Sequence, residues 1–395
     1  MRVLIVLDNM NTGGIASSLR NLLPRLAELA ECDLLVFDRD SVDASRIPER
    51  VRLLQPHPWL RLLGKSQAEL SRCHLLQAAV RAVLVAVSRV FGGNAARRLL
   101  FRWLPSLEGY DLAVSYCQDV GLRTISTGCN HFVLEKVCAK CKAAFIHCDY
   151  SAFGGYHPRQ EADYARFDRI VCVSEGCKNS FTDKFPKLTD KCRVVENFTN
   201  ADHIRRRMEA GMHSYDRSVR NVVTVCRLGE EKGLLRAAEA FGRLRDEGKT
   251  NFHWSVVGDG PERPRLEAYL RSRGLERYVT LMGAVNEPYC HMAGADLFLL
   301  PSLHEAAPMV FGECCAVGTP ILTTDTVSAR ELVESRGLGR VCPNSTEGLY
   351  GALLEFLEGA LPSRIPAQRM DEIGGIAQRQ LCRFLEEMGE MEHGR

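Results

Sequence analysis

Short apolar segments alternate with helical segments along this chain, and this alternation restricts the fold more than any other feature of the sequence. The predicted strands of the first half are 2–7, 33–37, 111–115, 143–147 and 169–173. Those of the second half are 221–226, 253–257, 278–281, 296–300 and 320–323. Helical patterns lie between them, for example at 15–29 and 234–244. Strands that alternate with helices predict βαβ units and therefore parallel sheets of the α/β class.

The alternation pauses between residues 197 and 218, where the chain is polar and charged apart from a helical segment at 201–209. A chain of 395 residues is longer than one hydrophobic core usually supports. We therefore predict two doubly wound, Rossmann-like domains, 1–197 and 198–374, that face each other across a cleft. In such sheets ligands bind at the carboxyl ends of the strands.

Composition excludes several classes of protein. The net charge of +2 argues against a dedicated nucleic-acid-binding protein, which usually has a strongly basic surface. No apolar run reaches the ~18 residues needed to span a bilayer, and the N-terminus enters a strand without a signal-peptide pattern. We therefore expect a cytoplasmic protein whose 16 cysteines are reduced thiols.

Four of these cysteines raise the question of a zinc site. Cys138 and Cys141 have the spacing of a zinc-binding pair, and Cys129 and Cys148 lie nearby. The second close pair of a Cys-x-x-Cys repeat is missing, however, and Cys148 follows a predicted strand. Small buried hydrophobic side chains are the favoured interpretation, and no metal site is predicted.

Two glutamates with seven residues between them, Glu305 and Glu313, form the motif that is most informative about chemistry. Glu305 lies in a polar loop after the predicted strand 296–300, at the start of a helix that begins near Pro308, and Glu313 lies on the helix itself, about two turns beyond Glu305. A helix start offers free backbone N–H groups and a positive dipole end, which suit a phosphate. Two carboxylates beside it can accept hydrogen bonds from sugar hydroxyls. The pattern predicts a site for a nucleotide sugar.

A cationic pair, Arg227 and Lys232, follows the predicted strand 221–226. At the carboxyl end of a strand both side chains can reach a diphosphate, arginine as a planar fork and lysine as a point charge. The alternative is an exposed basic loop without a ligand. The presence of both glutamates in the same half favours the diphosphate.

Glycines occur at two strand ends. Gly13 and Gly14 follow the first strand, where they allow either a tight turn or the close approach of a ligand. Gly258 and Gly260 begin a G-x-G pattern in the second half, but the third glycine of the dinucleotide fingerprint is missing there, and the order at Gly13-Gly14 is not that of the fingerprint. A redox cofactor is therefore not predicted.

Segment 59–103 is basic and apolar. It carries eight cations and only one acid, Glu69, with leucines, valines and two tryptophans between them. The cations are Arg61, Lys65, Arg72, Arg81, Arg89, Arg97, Arg98 and Arg102. This composition fits an amphipathic surface for anionic lipid, which would make the protein peripheral on the inner face of the membrane. A solvated helical face packed on the first domain is the alternative.

Taken together, the motifs resemble those of family 4 retaining glycosyltransferases, which have the GT-B fold. In the second half the resemblance rests on segments 226–233, 257–261, 281–285, 296–302, 305–313, 316–320 and 328–333. In the first half it rests on Gly13-Gly14 and on segments 110–116, 145–150, 173–174 and 194–197. The segment 146–150, Ile-His-Cys-Asp-Tyr, is similar to members that build bacterial surface polysaccharides. The resemblance also implies that residues 375–395 form a C-terminal helix that crosses back to the first domain.

The resemblance implies roles for individual residues. Arg227 and Lys232 would neutralise the donor diphosphate, Glu313 would bind the ribose, and Glu305 would hold the donor sugar. The N–H groups of Met309 and Val310 would meet the distal phosphate, Val285 would frame the base, and His147 would face the donor sugar from the first domain. Gly14 would let the phosphates sit close. The candidate catalytic residues are Glu305, His147, Arg227 and Lys232. The candidate substrate-binding residues are Gly13, Gly14, Gly258, Gly260, Val285, Ala307, Met309, Val310 and Glu313.

One departure concerns the sugar pocket. The family usually has Gly-Phe between the first glutamate and the proline, whereas this chain has Ala306-Ala307.

Taken alone, His147 would also fit an ordinary histidine at a strand end, with its hydrogen bonds satisfied within the protein.

The sequence therefore predicts an enzyme that transfers a hexose or similar sugar, with retention, from a nucleotide diphosphate sugar to a glycan or lipid-linked acceptor. The nucleotide sugar is a co-substrate, and no further cofactor and no divalent metal are expected. Two other functions fit the same motifs: a nucleotide-sugar epimerase, and a non-catalytic subunit that binds nucleotide sugar.

Overall fold

The computed structural model describes residues 1–11, 13–121, 123–208, 213–360 and 364–393. The chain divides into two compact units. Unit 1 comprises Met1–Phe198 and Ile376–Arg395, and unit 2 comprises Thr199–Gly375. Glu209, the last residue of the predicted helical segment 201–209, lies outside the described residues, as do the last two residues of the predicted C-terminal helix.

Unit 1 contains a seven-stranded parallel sheet in its described residues, with the order β3-β2-β1-β4-β5-β6-β7. Its strands are β1 (Arg2–Leu7), β2 (Glu31–Val36), β3 (Val51–Leu53), β4 (Leu107–Ser115), β5 (Val137–Ile146), β6 (Arg169–Cys172) and β7 (Cys192–Val194). Its first eight helices are α1 (Gly14–Leu29), α2 (Arg61–Gly64), α3 (Gln67–Cys73), α4 (Leu75–Phe91), α5 (Gly93–Phe101), α6 (Cys129–Lys136), α7 (Gln160–Tyr164) and α8 (Glu175–Lys184). The five predicted strands are present, and the two edge strands β3 and β7 are additional.

Unit 2 contains a six-stranded parallel sheet in its described residues, with the order β10-β9-β8-β11-β12-β13. Its strands are β8 (Arg220–Val225), β9 (Phe252–Val257), β10 (Val279–Gly283), β11 (Leu297–Leu300), β12 (Ile321–Thr324) and β13 (Gly339–Cys342). Its helices are α9 (Ala201–Met208), α10 (Leu234–Asp246), α11 (Arg263–Ser272), α12 (Tyr289–Gly294), α13 (Met309–Val317) and α14 (Thr346–Leu357). The prediction of doubly wound parallel sheets is confirmed, and β13 is the strand of this unit that the sequence pattern missed.

The last helix, α15 (Gln368–His393), contributes its residues from Ile376 onward to unit 1. There Glu387 accepts hydrogen bonds from Arg169 on β6 at 2.7 Å and from Arg193 on β7 at 2.8 Å. Met388 is buried, and its carbonyl oxygen lies 3.8 Å from the Cys141 sulfur on β5. The C-terminal helix therefore packs on the first sheet, as the resemblance implied.

The core of unit 2 fixes the strands that carry the candidate site. Trp254 on β9 is fully buried and donates its indole N–H to the Thr224 hydroxyl on β8 at 3.0 Å. Thr224 in turn donates to the Leu299 carbonyl on β11 at 2.7 Å. A satisfied polar chain of this kind ties three neighbouring strands together inside an apolar core. The ends of β8 and β11 are therefore held in a fixed position relative to each other.

Segment 59–103 forms helices α2 to α5, and the structure corrects the predicted distribution of its charges. Arg81 and Arg97 are buried and donate to the Leu62 carbonyl at 3.0 Å and the Thr124 carbonyl at 3.1 Å. Lys65 binds Asp40 at 2.8 Å. These cations stabilise unit 1 and do not contribute to an exposed basic face. Among the described residues, no helix is long and apolar enough to cross a bilayer.

Candidate functional site

The predicted donor residues of unit 2 lie where the order of the strands reverses. β8 and β11 are neighbours in the sheet, although β9 and β10 separate them along the chain. The loop that follows β8 carries Arg227 and Lys232, and the loop that follows β11 carries Glu305. Because the carboxyl ends of adjacent parallel strands meet at one sheet edge, loops on either side of such a reversal form the usual ligand site of an open α/β sheet.

Lys232 and Glu305 form a close ion pair between these two loops. The Lys232 Nζ lies 2.5 Å from Glu305 Oε1, and both side chains are largely buried, with 20% and 13% of their area exposed. The Ser302 hydroxyl donates to the same oxygen at 2.8 Å. Burial lowers the pKa of Lys232, but the charge and hydrogen bond of Glu305 outweigh it, and the net pKa is raised. Lys232 is therefore a fixed cation at the sheet edge.

A glycine allows the two loops to approach. Gly233 has φ +64°, the left-handed conformation that glycine adopts without strain, and a Cβ there would lie 2.2 Å from the Pro301 carbonyl oxygen. Next to it, the Leu303 N–H donates to the Glu231 carbonyl at 2.8 Å. Gly233 and Ser302 were not among the predicted site residues. The available signals were the dipeptides Lys232-Gly233 and Pro301-Ser302 in the loops after the two strands, but each dipeptide is common in ordinary turns.

Arg227 differs from Lys232 in its surroundings. Its side chain is 65% exposed and binds Glu231 at 2.6 Å. Exposed ion pairs of this kind contribute little stability and exchange partners readily. Arg227 is therefore an adjustable cation at the same strand end, whereas Lys232 is held in place before any ligand arrives.

The start of α13 provides the predicted anion site. Its N-cap residue is Pro308, which has extended backbone angles, and no side chain caps the helix. The N–H groups of Met309 and Val310 stand in the first turn, where helix geometry supplies no intrahelical partner. Ala306 is buried, and Ala307 is partly buried beside Val310 at the edge of the core. A helix start left open in this way attracts a phosphate through its amides and its dipole.

Glu313 lies on α13, one turn beyond this start. Burial raises the pKa of its carboxyl to about 7. In the part of the chain that the structure describes, no side chain donates a hydrogen bond to it. This carboxyl can therefore accept hydrogen bonds from a ligand, which fits the predicted role of Glu313 in binding ribose hydroxyls.

Replacing Glu313 with glutamine is expected to change how the stability of the free protein depends on pH. Between its ordinary pKa of 4.5 and about 7, the folded state binds the carboxyl proton more tightly than the unfolded state does. The wild-type free energy of unfolding should therefore fall through this window as pH rises, by up to about 3 kcal/mol relative to the variant. Urea unfolding between pH 4.5 and 8 measures this difference.

Glu347→Gln is the matched control for this experiment. Glu347 is exposed on α14, and the hydrogen bond from Arg243 lowers its pKa. Its neutralisation should leave the pH dependence between pH 5 and 8 close to that of the wild type. A Glu313→Gln variant with the same pH profile as the wild type would contradict the buried, proton-binding carboxyl.

Gly258 and Gly260 are required by the packing of loops. A Cβ at Gly258 would lie 1.8 Å from the Cys226 carbonyl oxygen, and φ there is +141°. A Cβ at Gly260 would lie 2.4 Å from the Leu228 carbonyl oxygen. These glycines let the loop after β9 lie against the loop that carries Arg227. Their predicted contact with substrate remains a prediction, as does that of Val285, which is exposed after the edge strand β10.

The remaining predicted residues belong to unit 1. Gly13 and Gly14 begin α1 at the end of β1, and a Cβ on either would meet no atom within 4 Å. The space around them is therefore open. His147 follows β5, and its ring lies 4.7 Å from the Tyr116 ring. Burial lowers the pKa of His147 to about 3, so the imidazole is neutral at physiological pH.

The Nε2 atom of His147 is buried and has no hydrogen-bond partner in the described residues. One nitrogen of this ring therefore has no partner among these residues, and the role of His147 at the donor sugar stays a prediction. No group of three or more histidine, cysteine, aspartate or glutamate side chains among the described residues is arranged to hold a metal ion.

Comparison with known proteins agrees with this arrangement. Residues 219–359 match the family model described as glycosyl transferases group 1. The amylovoran biosynthesis glycosyltransferase AmsK of Erwinia amylovora is 31% identical over 182 residues, which cover 42% of this chain and 44% of the relative. The N-acetylgalactosamine-N,N'-diacetylbacillosaminyl-diphospho-undecaprenol 4-alpha-N-acetylgalactosaminyltransferase of Campylobacter jejuni is 28% identical over 197 residues, which cover 49% of this chain and 52% of the relative.

The chain spans about half or less of the length of the curated relatives it matches. Two solved structures resemble nearly all of it in fold. The Anabaena protein HepE in complex with UDP has a TM-score of 0.63 and 16% identity over all of both chains. Sucrose-phosphate synthase of Thermosynechococcus elongatus has a TM-score of 0.68 and 14% identity over 99% of each chain. The predicted GT-B fold and the resemblance to glycosyltransferases of this type are confirmed.

Proposed function

We propose that this protein is a retaining glycosyltransferase that moves a sugar from a nucleotide diphosphate sugar to a glycan or lipid-linked acceptor in surface-polysaccharide biosynthesis. The observation that carries the proposal is the largely buried ion pair of Lys232 and Glu305 at the carboxyl ends of β8 and β11. The open start of α13 and the unpaired carboxyl of Glu313 lie on the element that follows.

The charges of these groups suit the breaking of a sugar–phosphate bond. As that bond breaks, negative charge grows on the leaving diphosphate, and cations and amides already fixed in position stabilise it without reorganising. Lys232 and the N–H groups of Met309 and Val310 would supply this stabilisation, and Arg227 would close on the phosphates from the exposed side. Fixed cations at this position would do the work that a divalent metal does in other transferases.

The donor sugar and the nucleotide would be held by the two glutamates. Oε1 of Glu305 already accepts from Lys232 and Ser302, which leaves Oε2 to accept from a sugar hydroxyl. Glu313 would accept from the ribose. Such charge-assisted hydrogen bonds are stronger than neutral ones. A neutral His147 with an unpaired Nε2 would serve as a hydrogen-bond partner for the donor sugar. In this proposal no protein side chain forms a covalent intermediate. Retention then requires that the acceptor attacks the sugar from the same face that the diphosphate leaves.

The comparisons support the class of reaction and of acceptor. The Erwinia relative is named for the biosynthesis of the polysaccharide amylovoran. The Campylobacter relative is named for the transfer of N-acetylgalactosamine to a diphospho-undecaprenol glycan. The structural neighbour HepE binds UDP, which makes uridine nucleotides the first donors to test.

A thermal-shift panel with UDP, GDP, ADP and NAD tests the proposal. A nucleotide diphosphate present at about 100 times its dissociation constant should add about 2.7 kcal/mol to stability. The same nucleotide should give a much smaller shift with Glu313→Ala, because the ribose loses its acceptor. Glu347→Ala, an exposed glutamate on α14 of the same unit, is the control and should respond like the wild type.

A protein stabilised by none of the three nucleotide diphosphates, or by NAD alone, would contradict a donor site of this kind. A protein that binds the nucleotide is then incubated with the sugar donor, with and without a glycan acceptor. Release of nucleotide that depends on the acceptor is expected. Conversion of the donor without any acceptor would identify an epimerase instead.

A further inference from the structure

Helices α4 and α5 carry large apolar side chains on the surface of unit 1. We call these side chains, together with the exposed arginines among them, the α4–α5 face. Its apolar members are Leu75, Leu76, Val83, Val90, Phe91, Leu99 and Trp103. Phe91 and Trp103 are 74% and 77% exposed. Seven such residues within 29 positions are far more than the scattered apolar side chains that a soluble surface normally shows.

The spacing of three of these residues places them on one side of α4. Leu76, Val83 and Val90 are seven positions apart, which is close to two full turns of helix. They are 70%, 62% and 74% exposed. The opposite side of α4 is buried against unit 1 through Ala78 and Leu84. The inner side also buries Arg81 and Ser88, so the large apolar side chains of this helix lie mainly on its outer side, the reverse of an ordinary surface helix.

The charges that α4 and α5 themselves contribute have one sign. Residues 70–107 contain no aspartate or glutamate. Arg89, Arg98 and Arg102 are exposed, and in the described part of the chain none of the three forms a salt bridge. The Arg102 guanidinium lies 5.8 Å from the centre of the Trp103 ring. Arg81 and Arg97 are buried within unit 1, but the three exposed arginines keep this surface positively charged.

A groove adjoins one end of the face. It has a volume of about 770 Å³, and Val90 and Phe91 contribute to both the groove and the face. Arg123, His157 and Arg159 also line it. Both arginines are exposed, and neither guanidinium has an ion-pair partner among the described residues. The apolar surface thus leads into a cationic recess.

We propose that the α4–α5 face binds the surface of an anionic lipid bilayer, with its apolar side chains in the headgroup–acyl boundary and its arginines against lipid phosphates. An exposed apolar helix side flanked by arginines is the signature of a helix that lies in a membrane interface. Tryptophan and arginine side chains are both stable there, because each has an apolar body and a polar end. A protein partner would fit less well, since residues 70–107 contribute no acidic side chain to a mixed polar rim.

The proposal goes beyond sugar transfer and does not depend on the donor site. It places the groove lined by Arg123 and Arg159 at the bilayer surface. An acceptor carried by a membrane lipid would then present its phosphates to the same unit. Unit 1 would bind the membrane even in a variant that has lost nucleotide binding.

Vesicle flotation with the full chain tests this proposal. Vesicles of phosphatidylcholine are compared with vesicles that contain 30% phosphatidylglycerol, at about 0.05 and 0.3 M salt. Binding is expected only to the anionic vesicles and should weaken at the higher salt. Each surface arginine contributes about five-fold to the affinity, so Arg89→Glu/Arg98→Glu/Arg102→Glu should abolish binding. Phe91→Ser/Trp103→Ser should lower it at least ten-fold.

Two control variants match these changes in charge and polarity. Arg50→Glu reverses an exposed arginine of unit 1, and Leu29→Ser removes an exposed leucine at the end of α1. Both should bind vesicles like the wild type, and a thermal unfolding profile followed by circular dichroism shows for each variant that unit 1 is folded as well as unit 2. Equal binding to neutral vesicles, or wild-type binding by the triple arginine variant, would overturn the proposal. A dimer in solution that only the Phe91/Trp103 variant disrupts, with no vesicle binding by the wild type, would assign the face to a second copy instead.

Discussion

Replacing Lys232 with alanine is expected to lower the turnover number for glycosyl transfer by about 100- to 1,000-fold, the usual effect of removing one fixed group that stabilises a developing anion. Lys232 is the largely buried cation at the carboxyl ends of β8 and β11, and its Nζ lies 2.5 Å from Glu305 Oε1. Steady-state assays with the donor identified by the nucleotide panel measure the change. Because the leaving diphosphate gains charge in the transition state, turnover should fall more than donor affinity.

Two variants make this result interpretable. Lys249→Ala removes a half-exposed lysine of unit 2 that pairs with Glu358 at 3.0 Å, and it should keep wild-type turnover. Lys232→Ala/Glu305→Gln also removes the carboxylate that the first change leaves buried without its cation. The double variant reports on stability alone, because Glu305 is itself placed on the donor sugar. If Lys232→Ala is folded and still binds the nucleotide but turns over slowly, the loss is catalytic. Wild-type turnover in a folded Lys232→Ala variant would contradict the proposed role.

Replacing Gly258 with alanine is expected to destabilise unit 2 by about 3 kcal/mol or more, through strain at a positive φ and contact with the backbone. A new Cβ would lie 1.8 Å from the Cys226 carbonyl oxygen, an atom of the backbone that cannot turn aside. For a unit of this size the midpoint of thermal unfolding should fall by roughly 6–12 °C. Nucleotide binding should weaken with it, because the loop that carries Arg227 packs against this glycine.

The measurement needs a reporter for unit 2 alone, because two units need not unfold together. The chain has three tryptophans, and Trp254 is the one buried in the sheet of unit 2. In a Trp59→Phe/Trp103→Phe background its fluorescence follows this unit. Gly351→Ala is the control: Gly351 lies on α14 with no atom near its would-be Cβ, and alanine there should stabilise by up to about 1 kcal/mol. Equal unfolding midpoints for Gly258→Ala and the wild type would contradict the close approach of the two loops.

The sequence predicted the regular elements well where they are long and apolar. Each of the ten predicted strands is present, because a buried parallel strand is largely an apolar run between turn residues. The limits differ most at β5, which begins at residue 137 but was predicted only from 143, because residues 137–142 include two lysines. The missed strands β3, β7 and β13 have three or four residues and include polar side chains. Edge strands of this length lack a pattern of their own, and their pairing is decided by the strand beside them.

The sequence did not predict the surroundings of the charged residues in the candidate site. The order of motifs placed Arg227, Lys232, Glu305 and Glu313 in one domain, but it gave the two cations equivalent surroundings. In the structure Lys232 is buried against Glu305, whereas Arg227 is exposed beside Glu231. The same is true of segment 59–103, where the sequence counted Arg81 and Arg97 as surface charges. Composition reports which charges are present, and burial depends on neighbours that are distant in the chain.

The sequence by itself determined that this protein is built from parallel, doubly wound sheets, and it identified the strand-end loops that carry the candidate site. Those properties follow from local hydrophobic periodicity and from residues close together in the chain. Only the tertiary structure decided which cation meets Glu305, why Gly233 and Gly258 must be glycines, and which side of α4 stays exposed. These depend on contacts between segments tens of residues apart, as in the 73-residue separation of Lys232 and Glu305, and distances of that kind are set by the packing of the sheets.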